Sequence, residues 1–394
     1  MSAIHKKSPG EILLIACTIS FFCFLGSYMR IPIVPLFAIS LGADTVQVGI
    51  INSAFMLVAG ALSIPSGLVS DRLGRRIPLL LGLVLLGGSS FLLYWSRSPW
   101  EMAGIYLLFG MGLSAFSPTL MSYVADVTPP EVLGQAYGWY TMALYGGMTL
   151  GPAAGGFLGT AVGLRPVFLV SGGLILAMFC VALVLLPHPP ERHGVHRQQL
   201  LPALRELSRN RSLLACLSAT FGTCFGFGMF VTFMPLYIRS HGMGTTQVGF
   251  VFAAQSLANA LSRLPTGKFS DRVGDRSVFV KGGIAVFALA LAGFGACTSV
   301  GSLMAVAALM GISMGMAFTA IGALIADVVP REMRGLAMGC YNTCVYAGLL
   351  ACAAGMGAVI KSAGFATAFV INGAMAAAVL FLFSRLYRKQ APAG

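Results

Sequence analysis

The chain has 394 residues, of which 57% are hydrophobic and only 9% are charged, and its mean hydropathy is +0.86. Soluble globular proteins carry charge on roughly a quarter of their residues, so this composition excludes an ordinary soluble domain and indicates a protein embedded in lipid. The net charge of +13 would suggest nucleic acid in a soluble chain. In a membrane protein basic loops at one face account for it, and we expect no nucleic-acid partner.

Apolar runs of about twenty residues or more recur along the chain, the length that a helix needs to cross roughly 30 Å of hydrocarbon. Apolar length and turn residues place six spans in the first half: Glu11–Ala38, Val46–Val69, Ile77–Trp95, Trp100–Val124, Gly134–Thr160 and Pro166–Leu186. Six more follow: Leu213–Tyr237, Val248–Phe269, Val278–Cys297, Leu303–Ala326, Gly335–Ile360 and Ala366–Leu386. The prediction is an all-α membrane protein with twelve transmembrane helices in two six-helix bundles.

The two bundles are predicted to comprise residues 1–187 and 212–394, joined by a polar linker over residues 188–211. Leu200, Leu204 and Leu207 share one helical face in this linker, which favours a short helix on the membrane surface. A solvated connector is the alternative. Lys and Arg are rare in the loops of one side, where they are Arg97, Arg165, Arg239 and Lys361. The positive-inside rule therefore places both termini and the linker in the cytoplasm, in a bacterial cytoplasmic membrane.

A basic motif bracketed by glycines follows the second span and returns 200 residues later, after the eighth. Its residues, with an acid after the fourth span, are Gly67, Asp71, Arg72, Gly74, Arg75, Arg76 and Asp126. The corresponding residues of the second half are Gly267, Asp271, Arg272, Asp327 and Arg334, with Asp275 at the position of Arg75 and Arg334 at that of Leu133. Each half is thus predicted to be a copy of one unit, with a cleft between the copies.

The order of Gly, Asp, Arg, Gly and Arg in the first copy of this motif resembles the signature of the major facilitator superfamily, and the resemblance covers the whole chain. Two further patterns are similar to its twelve-helix drug–proton antiporter branch. One is Leu25-Gly26 followed by Pro32-Ile33-Val34-Pro35 in the first span. The other is the antiporter motif of the fifth span, Gly147, Gly151, Pro152, Gly155 and Gly156. The resemblance implies alternating access around a cavity lined by spans 1, 4, 7 and 10.

The basic motif is expected to form a charged latch on the cytoplasmic side, centred on Asp71, that breaks when the halves rock apart. Marking the topology is the alternative role for its arginines. The sequence departs from the antiporter branch at Tyr106, where that branch carries an arginine. The span interiors contain no acid, and Asp126 and Asp327 lie at span ends. Proton exchange through a carboxylate in a span is therefore left open.

Two arginines lie deep in the predicted spans. Arg30 lies about 12 Å from the nearer end of its helix, and Arg263 lies at a similar depth. An isolated arginine in hydrocarbon costs at least about 2.5–3.5 kcal/mol, so each is expected to face a cavity or a partner, with snorkelling to the interface as the alternative. The predicted substrate-binding residues are Arg30, Arg263, Tyr106, Tyr145, Gln255, Asn259, Asn342, Tyr346, Met56, Phe221 and Phe225.

The predicted function is a secondary active transporter, expected to act as a monomer, that exports small amphipathic molecules or drugs. A carrier of organic anions bearing a carboxylate or phosphate, which uses Arg30 and Arg263, is the alternative. We predict no enzyme, because Ser313 in a nucleophile-like Gly-x-Ser-x-Gly pattern falls within a helix and every histidine lies in a loop. No cofactor or metal site is expected, since the nine cysteines lie singly in apolar runs.

Overall fold

The computed structural model describes residues 8–129, 132–187, 200–273, 275–330 and 333–387, which fold almost wholly into α-helices. The helices of the N-terminal half are α1 (Pro9–Met29), α2 (Ile33–Ser40), α3 (Thr45–Leu73), α4 (Arg76–Trp95), α5 (Pro99–Val127), α6 (Leu133–Val162) and α7 (Leu164–Leu185). The short helix α8 (Leu200–Leu207) precedes the C-terminal half. That half contains α9 (Arg211–Ser240), α10 (Thr245–Val273), α11 (Ser277–Phe294), α12 (Val300–Val328) and α13 (Arg334–Leu386).

A helix lies over every predicted span, and the ends of the helices differ from the predicted ends by at most four residues. Two elements differ in form. The first span is broken into α1 and α2 at Arg30–Pro32, because Pro32 has no N–H for the helical ladder and its ring disfavours a continuous helix. The last two spans are joined in α13, which is interrupted by non-helical backbone at Gly364.

The linker prediction is confirmed in part, because α8 is a helix. Leu207 is 4% exposed and packs into the core of the C-terminal half beside Leu213 and Val328. The connector is therefore packed against the bundle at Leu207, whereas residues 188–199 lie outside the described residues. The domain limits drawn through this linker stay a prediction.

The turns show that the two halves repeat one backbone path. Gly42 and Gly242 have φ of +86° and +76°, and Gly163 and Gly364 have φ of +89° and +82°. Each pair lies at matching positions of the two halves, where the chain reverses between helices. A positive φ is readily adopted only by glycine, so these turns require it. The end of the bundle that carries these four turns is called the Gly42 face, and the opposite end the Gly74 face.

Nine of the described helices are long and apolar enough to cross a membrane, and one of them, α13, contains two spans. The remaining long helices, α6 and α10, pack against each other. The helix α10 is less apolar, with Gln255, Asn259 and Arg263 in its middle. Together these helices make twelve membrane crossings, in which α3 with α13 and α6 with α10 join the two halves.

The apolar core is continuous between the halves at the Gly42 face. One cluster of buried side chains includes the N-terminal half and residues such as Phe233 and Ala353 of the C-terminal half. A second, separate cluster fills the C-terminal half towards the Gly74 face, around Cys216, Ile284 and Leu324. Among the described residues the halves are thus packed together at one end only.

Candidate functional site

The halves approach each other closely through glycines near the Gly42 face. A Cβ on Gly156 of α6 would lie 2.6 Å from the Cα of Gly249 on α10. A Cβ on Gly49 of α3 would overlap the carbonyl oxygen of Ala353 on α13. Because the neighbouring atoms belong to backbone, they cannot move aside, and only glycine permits this contact.

Polar contacts close the same face. The Asp44 carboxylate accepts a hydrogen bond from Lys361 Nζ at 2.7 Å, and Thr45 Oγ1 donates to the Gly357 carbonyl at 2.9 Å. On the other side of the face Thr246 Oγ1 donates to Thr160 Oγ1 at 2.8 Å. Thr160 and Lys361 occupy matching positions, three residues before Gly163 and Gly364. The repeat therefore closes this face with an ion pair on one side and with a neutral hydrogen bond on the other.

Asp44 has a second role, since it is the N-cap of α3 and its Oδ1 accepts from Gln47 N at 2.8 Å. The Lys361 ammonium, and then the Gln47 N–H, hold the pKa of Asp44 below its ordinary value of 3.8. Both donors favour the ionised carboxylate. The cap and the ion pair use different oxygens, so they can be separated by substitution.

The antiporter motif is divided between two interfaces. Gly147, Gly151 and Gly155 face α1 of their own half, where a Cβ would meet the backbone near Phe21, Leu25 and Met29, respectively. Gly156 faces α10 of the other half instead. Pro152 lies inside α6, where it removes one helical hydrogen bond. The motif thus combines packing within a half with contact between halves.

Arg263 lies between the halves, and its role as a cavity residue stays a prediction. Its Nε donates to Asn259 Oδ1 at 3.0 Å on the same helix, and its guanidinium lies 4.1 Å from the ring centroid of Tyr145 on α6. Tyr28 is close enough to both Tyr145 and Tyr346 to interact electrostatically with each of them. This tyrosine group brings α1, α6 and α13 together beside α10, and it is the candidate substrate site.

Arg30 lies in a different environment, wholly inside the N-terminal half. Its side chain has no exposed surface, so snorkelling is wrong for this residue. Nη1 donates to Ser89 Oγ at 3.1 Å and to Ser90 Oγ at 3.0 Å, and the guanidinium lies 3.5 Å from the centroid of the Phe109 ring. Nε and Nη2 have no hydrogen-bond partner among the described residues.

The other predicted binding residues are distributed over several places. Tyr106, Met56, Phe225 and Gln255 are buried, and Tyr106 lies beside Arg30. Gln255 Nε2 donates to Met314 Sδ at 3.6 Å, within the C-terminal half. Phe221 and Tyr346 are partly exposed, and Asn342 is exposed.

Sequence reasoning missed four of the residues that surround these arginines: Tyr28, Ser89, Ser90 and Phe109. Tyr28 was detectable by helical spacing from Leu25 and Ile31, but the serines and Phe109 carry no signal that distinguishes them from ordinary packing residues.

The basic motif forms ion pairs at the Gly74 face. Arg75 Nε contacts Asp126 Oδ2 at 2.9 Å, and Arg276 pairs with Asp327 in the other half. These equivalent pairs show that Arg276 corresponds to Arg75. The interpretation that Asp275 replaces a basic residue is therefore wrong, because Asp275 is an insertion before the matching arginine. Its carboxylate accepts from Ser277 N at 3.0 Å, at the start of α11.

The loop predicted for this motif is also shorter than expected. The helix α3 continues to Leu73 and α10 to Val273, so Gly67 and Gly267 lie within helices, and among the motif's described glycines it is Gly74, with φ of +79°, that makes a turn. Arg76 donates to the Leu183 carbonyl at 2.6 Å, whereas Arg272 and Arg334 are exposed. The side chains of Asp71, Arg72 and Asp271 lie outside the described residues, so the latch centred on Asp71 remains a prediction.

Known proteins with similar sequences and structures agree with this fold. The sequence matches the Major Facilitator Superfamily over residues 16–251 and 219–394. It is 22% identical over 355 residues to an uncharacterised MFS-type transporter of Methanocaldococcus jannaschii, covering 89% of this chain and 91% of that protein. It is 31% identical over 245 residues to the multidrug efflux protein YfmO of Bacillus subtilis, covering 60% of this chain and 58% of YfmO.

Among solved structures, a bacterial homologue of the human lysosomal transporter Spinster, inward-facing and unoccupied, has a TM-score of 0.82. It is 16% identical and covers 99% of this chain and 100% of its own, which shows a common fold. The family match, the repeated halves and this fold agree over the length of the chain, which is therefore a multi-pass membrane transporter of the Major Facilitator Superfamily.

Proposed function

We propose that this protein exports small amphipathic molecules across the cytoplasmic membrane by alternating access. The observation that carries the proposal is the closure of the Gly42 face by glycine contacts and exposed polar pairs, beside an apolar core that is divided towards the Gly74 face. Small-residue contacts and exposed ion pairs can separate without unfolding either half. The similarity to the multidrug efflux protein YfmO supports export as the direction.

The structure corresponds in this proposal to a state open towards the cytoplasm. The distribution of basic residues supports a cytoplasmic position for the Gly74 face, both termini and the linker. A molecule from the cytoplasm would then reach Arg263 and the tyrosine group between the halves. Aromatic rings offer apolar contact area and a few polar atoms, which is the composition that suits amphipathic ligands. We propose that one chain forms the complete carrier.

Proton exchange is proposed only in a form that does not use a carboxylate within a span. The acids of the described helices lie near helix ends, such as Glu11, Glu101 and Asp126. Acids in the middle of a span are the usual carriers of protons in transporters. Coupling in this chain would therefore depend on residues at the faces.

A second candidate function, transport of organic anions, is favoured by the two arginines. Neither Arg30 nor Arg263 is paired with a carboxylate in the described structure, and both lie at membrane depth. A substrate with a carboxylate or phosphate group would supply the missing negative charge.

Flux in proteoliposomes tests the proposed function. We expect the wild-type protein to move a lipophilic cationic dye or a carboxylate dye at least several-fold faster than empty liposomes do. The Gly49→Leu variant is the matched control, because its side chain overlaps the Ala353 carbonyl and prevents closure of the Gly42 face. Equal rates in wild type, this variant and empty liposomes for cationic, neutral and anionic dyes would contradict the proposal.

A further inference from the structure

The environment of Arg30 contains a hydrogen-bonding capacity that the protein itself does not use. Nη1 is held by Ser89 and Ser90, and the network continues from Ser90 Oγ to Ser171 Oγ at 3.2 Å and from Ser171 Oγ to the Gly26 carbonyl at 2.8 Å. The Phe109 ring lies against the guanidinium at 3.5 Å. These contacts fix the position and the plane of the charged group from two directions.

The remaining donors are Nε and Nη2, which are buried and for which the described part of the chain offers no partner. In a guanidinium these two nitrogens form one edge, and their N–H groups point in parallel, as two oxygens of one carboxylate or phosphate require. Almost all buried polar groups in folded proteins have partners, so a vacant pair on one edge needs an explanation. Packing alone does not explain it, since a neutral side chain of similar length would fill this space without unused donors.

We propose that the Nε–Nη2 edge of Arg30 binds a carboxylate or phosphate group of the transported molecule, inside the N-terminal half. This inference rests on the second candidate function and deepens it, since it assigns the anion to Arg30 and not to Arg263. Arg263 uses Nε for Asn259 and lies against Tyr145, so its corresponding edge is not free.

The site is enclosed in the present state. Phe55 of α3 completes an aromatic group with Tyr106 and Phe109, at ring-centroid distances of 5.6 and 5.2 Å. An anion therefore enters with a movement of this group, and once bound it is shielded from water. Charge-assisted hydrogen bonds are strongest in such surroundings.

Thermal-shift measurements on the purified protein in neutral detergent, with benzoate, its uncharged isostere benzamide and inorganic phosphate at millimolar concentrations, test this site. We expect benzoate or phosphate to raise the melting temperature of the wild type by several degrees more than benzamide does. Arg30→Met should abolish this difference, Arg30→Lys should retain a small part of it, and Arg165→Gln, a control that lies outside both candidate sites, should leave it in place. Arg30→Met without ligand should also melt at or above the wild-type temperature, because burying an unpaired charge costs more free energy than the hydrogen bonds to Ser89 and Ser90 return.

Equal shifts with benzoate, phosphate and benzamide in the wild type would overturn the proposal. An anion-dependent shift that survives in Arg30→Met, or one that is lost in Arg165→Gln, would overturn it as well. If Arg30→Met melts well below the wild type, the residue is structural and the proposal fails. The thermal-shift experiment measures binding and not flux. Its result is therefore independent of the proteoliposome assay, and a failure of the anion site can be distinguished from a failure of the proposed export.

Discussion

Gly155→Ala is expected to destabilise the N-terminal half, whereas Gly156→Ala is expected to leave that half intact and to open the Gly42 face. The two residues are neighbours, but a Cβ on Gly155 would overlap the Met29 carbonyl within the half, and a Cβ on Gly156 would meet Gly249 of the other half. Overpacking inside a half cannot be relieved by moving the halves apart, and it lowers the free energy of unfolding by on the order of 1–3 kcal/mol. Overpacking between halves is relieved when the halves separate.

The melting temperature and the accessibility of the Gly42 face distinguish the two outcomes. Gly155→Ala should lower the melting temperature by several degrees, and Gly156→Ala should lower it little while it increases labelling of an introduced reporter beside Thr246. Gly249→Ala is a matched control with a milder expected opening, because its Cβ would lie 3.1 Å from the Gly156 Cα. If the two neighbouring substitutions have the same effect on both measurements, this assignment of interfaces is wrong.

Lys361→Glu is expected to shift the protein strongly towards the state in which the Gly42 face is open. The substitution replaces the 2.7 Å ion pair with two carboxylates in contact. Asp44→Asn should open the face to a smaller extent, because it removes the charge but keeps a good N-cap for α3. Reporter accessibility should rise several-fold in Lys361→Glu and fall back when Asp44→Asn is added, since the repulsion is then removed. An unchanged accessibility in Lys361→Glu would show that the pair does not hold the face.

The pH dependence of the contact between Asp44 and Lys361 follows from the direction in which the pKa of Asp44 is shifted. The pKa of Asp44 is depressed when Lys361 is in contact, so the contact stabilises closure fully above the ordinary value of 3.8. The stabilisation is lost as the pH falls through the depressed pKa, below that value. Closure between pH 5 and 8 should therefore not respond to this pair, whereas high salt should weaken it because both groups are exposed. A transition in closure near neutral pH that disappears in Asp44→Asn would contradict this.

Most of the fold was predictable from the sequence because the apolar length of each span and the repeated glycines are local signals. The break between α1 and α2 was not predicted, although Pro32 and Pro35 mark it, because hydropathy alone is continuous across Arg30. The insertion of Asp275 was also hidden, since an ungapped repeat aligns it with Arg75. The equivalent ion pairs to Asp126 and Asp327, and the matching N-caps Arg75 and Arg276, reveal the correct register.

The candidate site was predicted less completely. Depth in the membrane identified Arg30 and Arg263 as unusual, but it did not distinguish a residue enclosed in one half from a residue between the halves. That difference depends on which side chains of other helices lie opposite, such as Ser89 for Arg30 and Tyr145 for Arg263. Helix rotation and partner choice are tertiary properties, and one sequence contains no direct signal for them.

Two distances between pairs of spin labels, measured by double electron–electron resonance, test alternating access most directly. Ser40 and Ser240 are exposed matching positions at the Gly42 face, and Leu73 and Val273 are exposed matching positions at the Gly74 face. Because the chain has nine native cysteines that would also react with thiol-specific labels, the spin labels are attached to an introduced amino acid with a keto group. Compared with the wild type, Lys361→Glu should lengthen the first distance and shorten the second. If both distances change in the same direction, or if neither changes while Lys361→Glu abolishes transport, the two halves do not alternate as proposed.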